Sequence, residues 1–206
     1  QKMGGLYKKI PFTYAMMWIG SLALAGFPPF AGYYSKDVIL ELAYSAHTPM
    51  GNFAFIVGII TAFLTAFYSW RLLFLVFHGK SRANKHDYDH AHESPLSMLI
   101  PLALLAIGAV MAGYIGYHIL HMVSTNNFFR SAITISMSRF FIYDDIHHVP
   151  SLVKYAPMIV GVVAISLAYV FYLLSPNIPN RLSKMFPRLY KFSYNKWYFD
   201  EFYQND

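Results

Sequence analysis

The 206-residue chain is 56% hydrophobic and 18% aromatic, with 13% charged residues and a formal net charge of +6. Soluble domains carry about a quarter charged residues, so this composition excludes a disordered chain and argues against a soluble globular domain. The absence of cysteine excludes disulfides, thiolate metal sites and cysteine-ligated iron–sulfur clusters within the chain.

The spacing of charge is more informative than its amount. Residues 10–35, 42–70, 94–129 and 155–180 contain no Asp, Glu, Lys or Arg, giving windows of 26, 29, 36 and 26 residues. About 20 mostly apolar residues cross roughly 30 Å of hydrocarbon. The expected fold is therefore an all-α polytopic membrane protein with about four transmembrane helices. Basic residues lie between the windows, a pattern of topology and lipid headgroups rather than nucleic acid binding.

Residues 1–11 form a basic lead-in with Lys2, Lys8 and Lys9. It is not a signal peptide, because the apolar stretch after it is too long and has no cleavage site. The chain opens on Gln1 and closes on Tyr203-Gln204-Asn205-Asp206, so a segment of a longer protein is expected. The apolar region 12–46 is 35 residues long, about 52 Å as a straight helix. That is too long for one upright span and too short for two spans and a turn. Gly26-Phe27-Pro28-Pro29 sits in its middle, where two prolines remove donors and clash with the preceding turn. The region predicts one discontinuous span: Thr13–Ala25, a break, then Pro29–Ala46.

Further spans are predicted at 52–77, 95–121 and 155–174. Pro95 suits a first helical turn, whereas Pro101 would bend the helix unless its neighbours resatisfy the freed carbonyl. Between spans lie a His-rich polar segment, 78–94, and a long connection, 122–154. The latter contains Phe128-Phe129-Arg130 and Ser138-Arg139-Phe140-Phe141 and predicts a helix lying at the outer interface. Residues 175–206 are basic and aromatic and are expected to lead into a lateral helix. With four spans, eleven Lys and Arg residues fall on the side holding both ends, against Arg130, Arg139 and Lys154 opposite. The positive-inside rule then places both ends in the cytoplasm.

Lys36 lies about two turns into the second half-helix. An ammonium at membrane depth costs roughly 2.5–3.5 kcal/mol on insertion scales and usually faces a bundle interior or water path. Gly32 leaves room one turn before it, and Tyr33, Asp37 and Glu41 form an adjacent polar stripe. Burial disfavours an ammonium and nearby carboxylates favour it, so such a lysine can switch charge as a proton relay requires. The alternative is a lysine near the surface that snorkels to water. Irregular backbone at membrane depth occurs in protein or beside a water-filled cavity, which favours the first reading.

Thr61, Thr65 and Ser69 either line a hydrated path or bond to their own helix. Arg71 reads as an anchor at the cytoplasmic end. His78, His86, His90 and His92 with Asp87, Asp89 and Glu93 match no metal-site spacing, so a flexible solvated loop without metal is expected. His118, His121, His147 and His148 have no assigned task. No phosphate loop, nucleophile elbow or catalytic carboxylate pair is present.

The run from Leu22 to Asp37, with Gly26-Phe27-Pro28-Pro29-Phe30-Ala31-Gly32-Tyr33-Tyr34-Ser35-Lys36-Asp37 at its centre, resembles the twelfth transmembrane helix of the antiporter-like L-subunit family of respiratory complex I, the proton-pumping NADH:quinone oxidoreductase. The resemblance continues through Met3-Gly4-Gly5-Leu6, Thr65-Ala66-Phe67-Tyr68-Ser69-Trp70-Arg71, Phe77-His78-Gly79-Lys80 and His92-Glu93-Ser94-Pro95. It ends on Asn195-Lys196-Trp197-Tyr198-Phe199-Asp200-Glu201. By this resemblance Lys36 matches the family's distal proton-transfer lysine and Asp37 its charge partner. The four spans would be helices twelve to fifteen, in a bacterial inner membrane rather than a mitochondrial one. The family's glutamate–lysine pair and middle relay would lie upstream of residue 1.

The resemblance implies a proton-translocating fragment coupled to quinone reduction elsewhere. NADH, FMN, iron–sulfur clusters and quinone would belong to other subunits, with no cofactor in this chain. Partners would be lipid and other membrane-arm subunits, above all the neighbouring antiporter-like one. Two rivals stand: the large subunit of a multi-subunit cation/proton antiporter, and a structural membrane segment with no active path.

Overall fold

The structure, a computed structural model, describes residues 3–120 and 149–204. The expected interfacial helix, with residues 128–130 and 138–141, lies outside the described residues, as do His121, His147 and His148. Among the described residues the regular structure is helical throughout.

Helix α1, Pro11–Ala25, begins with proline at a position that needs no N–H. It ends at Gly26, which is left-handed at φ 81° and turns its N–H back to the carbonyls of Leu22 and Ala23. The Pro28-Pro29 bond is cis. The chain resumes as α2, Ala31–Ser45. A turn through His47 leads to Thr48, whose Oγ1 accepts from the Gly51 N–H at 3.0 Å and caps α3, Pro49–Phe77. This cap starts α3 three residues before the predicted Asn52.

Side-chain pairs fix how these three helices run. Tyr14 meets Phe77 and His78, Trp18 meets Trp70, and Ala25 packs with Ala66. Further along, Leu40 lies against Gly58 and Tyr44 against Phe55. Rising numbers on α1 and α2 meet falling numbers on α3, so the break does not reverse the chain. Each 15-residue half-helix is about 22 Å long, short of the roughly 30 Å hydrocarbon core. Laid end to end along α3, they cover its 29 residues.

A one-turn helix α4, Lys85–Asp89, precedes α5, Leu96–Tyr114, which continues as a wide turn to Ile119. Pro101 sits inside α5 without ending it. Helix α6, Ser151–Tyr169, continues similarly to Leu174 and carries Pro157 in its interior. Among the described residues three helices are long and apolar enough to cross a membrane: Pro49–Phe77, Leu96–Ile119 and Ser151–Leu174, with Pro11–Ala25 as a shorter apolar helix. The chain is an all-α polytopic membrane protein. Beyond α6 come α7, Asn177–Met185, α8, Pro187–Tyr194, and α9, Phe199–Gln204. Positive φ at Lys196, Trp197 and Tyr198 separates α8 from α9, so this segment is a series of short helices.

The helices pack around the break. Ala66 of α3 and Ala164 of α6 are fully buried against Ala25. Trp70, Leu73, Phe74 and Phe77 pack with Ala168 into a second cluster. Such small residues let helix backbones approach closely in membranes. A Cβ on Gly113 of α5 would stand 2.6 Å from the Ala31 Cα, so α5 touches the start of α2. One on Gly161 of α6 would lie 3.6 Å from the Phe27 ring. Gly26 is thereby buried among the helices, while Pro28 and Pro29 stay exposed at the outer edge of the break.

The segment 78–94 is exposed but tied down, unlike the flexible loop expected. Gly5 N–H donates to the His78 carbonyl at 3.2 Å, Tyr88 Oη to Gly5 at 3.0 Å, and Lys9 Nζ to Asp89 at 3.2 Å. Arg82 bridges the carbonyls of Met3 and Leu75 at 3.0 and 2.7 Å. Glu93 accepts from the N–H groups of Phe12 and Thr13 at 2.6 and 3.1 Å and from the Thr13 hydroxyl at 2.8 Å. These are orphan donors of the first turn of α1, whose own N-cap, Ile10, supplies no side chain. A carboxylate there also meets the positive end of the helix.

Two outcomes follow. A Cβ at Gly32 would overlap the Ala23 carbonyl oxygen, whereas one at Gly20 has open space. Gly32→Ala is expected to cost about 1–3 kcal/mol, and Gly20→Ala to be neutral or slightly stabilising, in thermal unfolding in mild detergent. Partial burial pushes Glu93 up, but hydrogen bonds from Thr13, Phe12 and Ser94 outweigh it and hold the carboxyl below its ordinary value. Its contribution is therefore present above the unfolded carboxylate range and lost as pH falls through the lowered folded value. Glu93→Gln is expected to lower stability by about 1 kcal/mol at neutral pH, with the difference from wild type shrinking below about pH 4.

Candidate functional site

The site is built at the break between α1 and α2. In an uninterrupted helix the Ala25 carbonyl would accept from the N–H of residue 29. Residue 29 is proline and has no N–H. The same residue that stops the helix thus leaves a bare carbonyl at its negative end. Lys36, about one and a half turns into α2, folds back and donates from Nζ to the Ala25 carbonyl at 2.5 Å. A cation at a helix C-terminus is favourable both as a hydrogen-bond donor and against the helix dipole.

Two glycines make this geometry possible. At Gly26, whose φ of 81° already favours glycine, a Cβ would stand 2.7 Å from Lys36 Nζ and 2.8 Å from its Cε and would displace the ammonium. Gly32 brings the backbone of α2 onto the Ala23 carbonyl. Room for the lysine is made by Gly26, while Gly32 serves helix contact. Pro28 and Pro29 are themselves exposed at the outer edge of the break.

Beside the lysine, α2 buries a polar stripe. Asp37 is 5% exposed, Glu41 9% and Ser45 2%. Neither Asp37 carboxylate oxygen has a hydrogen-bond partner among the described residues, nor does Ser45 Oγ. Buried polar atoms are nearly always paired with protein or water, so this face of α2 calls for water or a mobile partner. Ser45 continues the spacing of Asp37 and Glu41 by four more residues, a signal present in the sequence. Tyr33 lies half-buried at the head of the stripe, its ring edge-on to Tyr34 at 5.4 Å.

The structure does not bring Thr61 to this group. It is exposed on α3 and its hydroxyl donates to the Val57 carbonyl of its own helix at 2.8 Å. Thr65 is half-buried, and its carbonyl accepts from Ser69 Oγ at 2.7 Å. Arg71 lies over the Tyr172 ring at 5.4 Å, an attachment between α3 and the end of α6. His118 is surrounded by Tyr34, Tyr114 and Tyr117. Among the described residues no three His, Asp or Glu side chains converge as metal ligands do.

Comparison with known proteins agrees with this architecture. A family model described as NADH:quinone oxidoreductase/Mrp antiporter, TM, matches residues 1–65, the stretch holding both half-helices and Lys36. The chain is 40% identical over 207 residues to the NADH-ubiquinone oxidoreductase chain 5 of Marchantia polymorpha, covering 100% of this chain and 31% of that protein. It is 42% identical over 205 residues to the NADH-quinone oxidoreductase subunit L of Rickettsia bellii, covering 98% and 31%. With subunit L of Rickettsia felis it shares 43% over 214 residues, covering 98% and 32%. The chain spans about a third of the length of the curated relatives it matches. From end to end, it belongs to the family of NADH-quinone oxidoreductase subunit L and chain 5.

Proposed function

We propose that this chain is the part of a membrane-arm, antiporter-like subunit of NADH:quinone oxidoreductase through which protons pass at Lys36. The reading is carried by the Lys36 ammonium seated on the Ala25 carbonyl at the helix break. In this mechanism the charged lysine is held by the bare carbonyl and the negative end of α1. Losing the proton removes the charge that the carbonyl stabilises, so the side chain is free to leave it. Asp37, buried next to the lysine with no hydrogen-bond partner among the described residues, responds to that change of charge.

Proton transfer is the only chemistry this assigns to the chain. NADH, FMN, iron–sulfur clusters and quinone belong to other subunits, whose redox step drives the lysine's cycle. The partners are the other membrane-arm subunits and lipid. The basic residues at 80–85 and 181–196 support a cytoplasmic placement for the face that carries 3–13 and 78–94.

The test is substitution of Lys36 in the whole complex reconstituted in sealed vesicles. Lys36→Ala is expected to slow proton transfer through this subunit by about 100-fold or more, the scale of a positioned acid–base group. Lys36→Arg keeps the charge but not a dissociable proton, and is expected to fail equally while assembling normally. Full pumping at normal assembly in either variant would reject the role. A second reading, an antiporter subunit, draws on the Mrp antiporter half of the matching family description. Sodium-dependent proton exchange without NADH oxidation would favour it.

A further inference from the structure

We propose that α7 and α8 lie in the membrane surface as a binding site for anionic phospholipid, their apolar faces among the acyl chains and Arg181, Lys184, Arg188 and Lys191 on the headgroup phosphates. The proposal rests on the lipid partnership named above and on α6 crossing a membrane. It is independent of the role of Lys36.

The end of α6 sets the depth. The 24 residues from Ser151 to Leu174 rise about 36 Å, more than the roughly 30 Å of hydrocarbon, so Leu174 stands at headgroup level. The rings of Phe74 and Tyr169 meet at 5.7 Å, and Arg71 lies over Tyr172. The end of α6 therefore lies beside the end of α3, on the side that carries 78–94. Backbone leaves the helical region at Ser175, where φ is -133° and ψ 71°. Asn177 then opens α7. The three residues from Leu174 to Asn177 reach at most about 10 Å, so α7 begins in the headgroup layer or against it.

The sequence of this segment suits that layer. Ile178, Leu182 and Met185 recur at intervals of four and three and share one face of α7, with Arg181 and Lys184 to one side of it. A second non-helical residue, Phe186, separates α7 from α8. In α8, Leu189 and Phe192 share a face, and Arg188 and Lys191 lie together on another. Leu182, Met185, Phe186, Leu189 and Phe192 are all exposed, so the chain's own helices leave this apolar surface uncovered. Tyr190 stacks on Tyr194 at 6.0 Å, and Trp197 and Tyr198 follow, the aromatic types that collect at a membrane surface.

Charge selects the kind of lipid. Residues 146–199 contain no Asp or Glu. Among the described residues none of Arg181, Lys184, Arg188 and Lys191 has an acidic partner. Four unneutralised cations beside an apolar helix face at headgroup depth complement phosphates that carry no compensating ammonium. Arginine adds a planar fork that matches phosphate oxygens in pairs.

The test places the photoreactive residue p-benzoylphenylalanine at Leu189 in the whole complex. The complex is reconstituted in vesicles where phosphatidylglycerol is the minor lipid and phosphatidylcholine, with identical acyl chains, the major one. After illumination, mass spectrometry identifies the adducts. Lipid adducts are expected, with phosphatidylglycerol enriched about fivefold or more over its share of the vesicle, the scale of one basic residue near a charged surface. Arg188→Gln with Lys191→Gln is expected to reduce that enrichment severalfold while leaving lipid adducts in place. Where that variant fails to assemble, the enrichment in the complex with both basic residues intact decides alone. Adducts with another subunit, or none, overturn the proposal, since the face would then meet protein or water. Lipid adducts without enrichment overturn the headgroup site. Each outcome is read without reference to what Lys36→Ala does to pumping.

Discussion

The arrangement depends on one hydrogen bond between a half-buried ammonium and a carbonyl that has lost its helical donor. An ammonium within an apolar bundle needs an acceptor, and a helix that ends there leaves an acceptor unused. Pro29 cannot donate to Ala25, and Lys36 does so in its place. Each irregularity satisfies the other, so neither is a defect taken alone. The positive charge strengthens the bond at the negative end of the helix.

Small residues around the break bring the helices into close contact. Alanines on α1, α3 and α6 let the helices meet closely at Ala25, Ala66 and Ala164. Gly113 and Gly161 bring α5 and α6 against the two sides of the interruption. Asp37, Ser45, Trp18 and Trp70 stand out because each keeps a buried polar atom with no hydrogen-bond partner among the described residues, for which a packed apolar interior offers no reason. They lie on the two sides of Lys36, two in α2 and two in the α1–α3 interface.

The end of the molecule bearing 3–13 and 78–94 holds α1 in place. Glu93, some 80 residues away in sequence, supplies the cap that Ile10 cannot. Arg82, Tyr88 and Lys9 fasten the lead-in to the same segment through backbone carbonyls. The position of the Ala25 carbonyl is thus referred back to a clamp at the other end of a 15-residue helix.

The sequence alone determined the membrane character, because hydrocarbon tolerates so few charges that their spacing reveals the spans. The windows after Glu41, Glu93 and Lys154 each overlap most of a long apolar helix. It determined the place of the break as well, since two consecutive prolines after a glycine leave a helix no way to continue, and it marked Lys36 as out of place. What it did not display was the lysine's partner, because a main-chain carbonyl has no letter of its own. Nor did periodicity separate Gly26, which makes room for the ammonium, from Gly32, which makes room for a backbone. Thr61 shares its polar type with Ser69, yet one faces outward and the other is buried, a distinction set by which neighbours α3 meets. Capping of α1 by Glu93 and the meeting of Trp18 with Trp70 depend on contacts across 81 and 52 residues. Only the packed structure decides such contacts, because local propensity carries no information about which distant group will satisfy a buried donor.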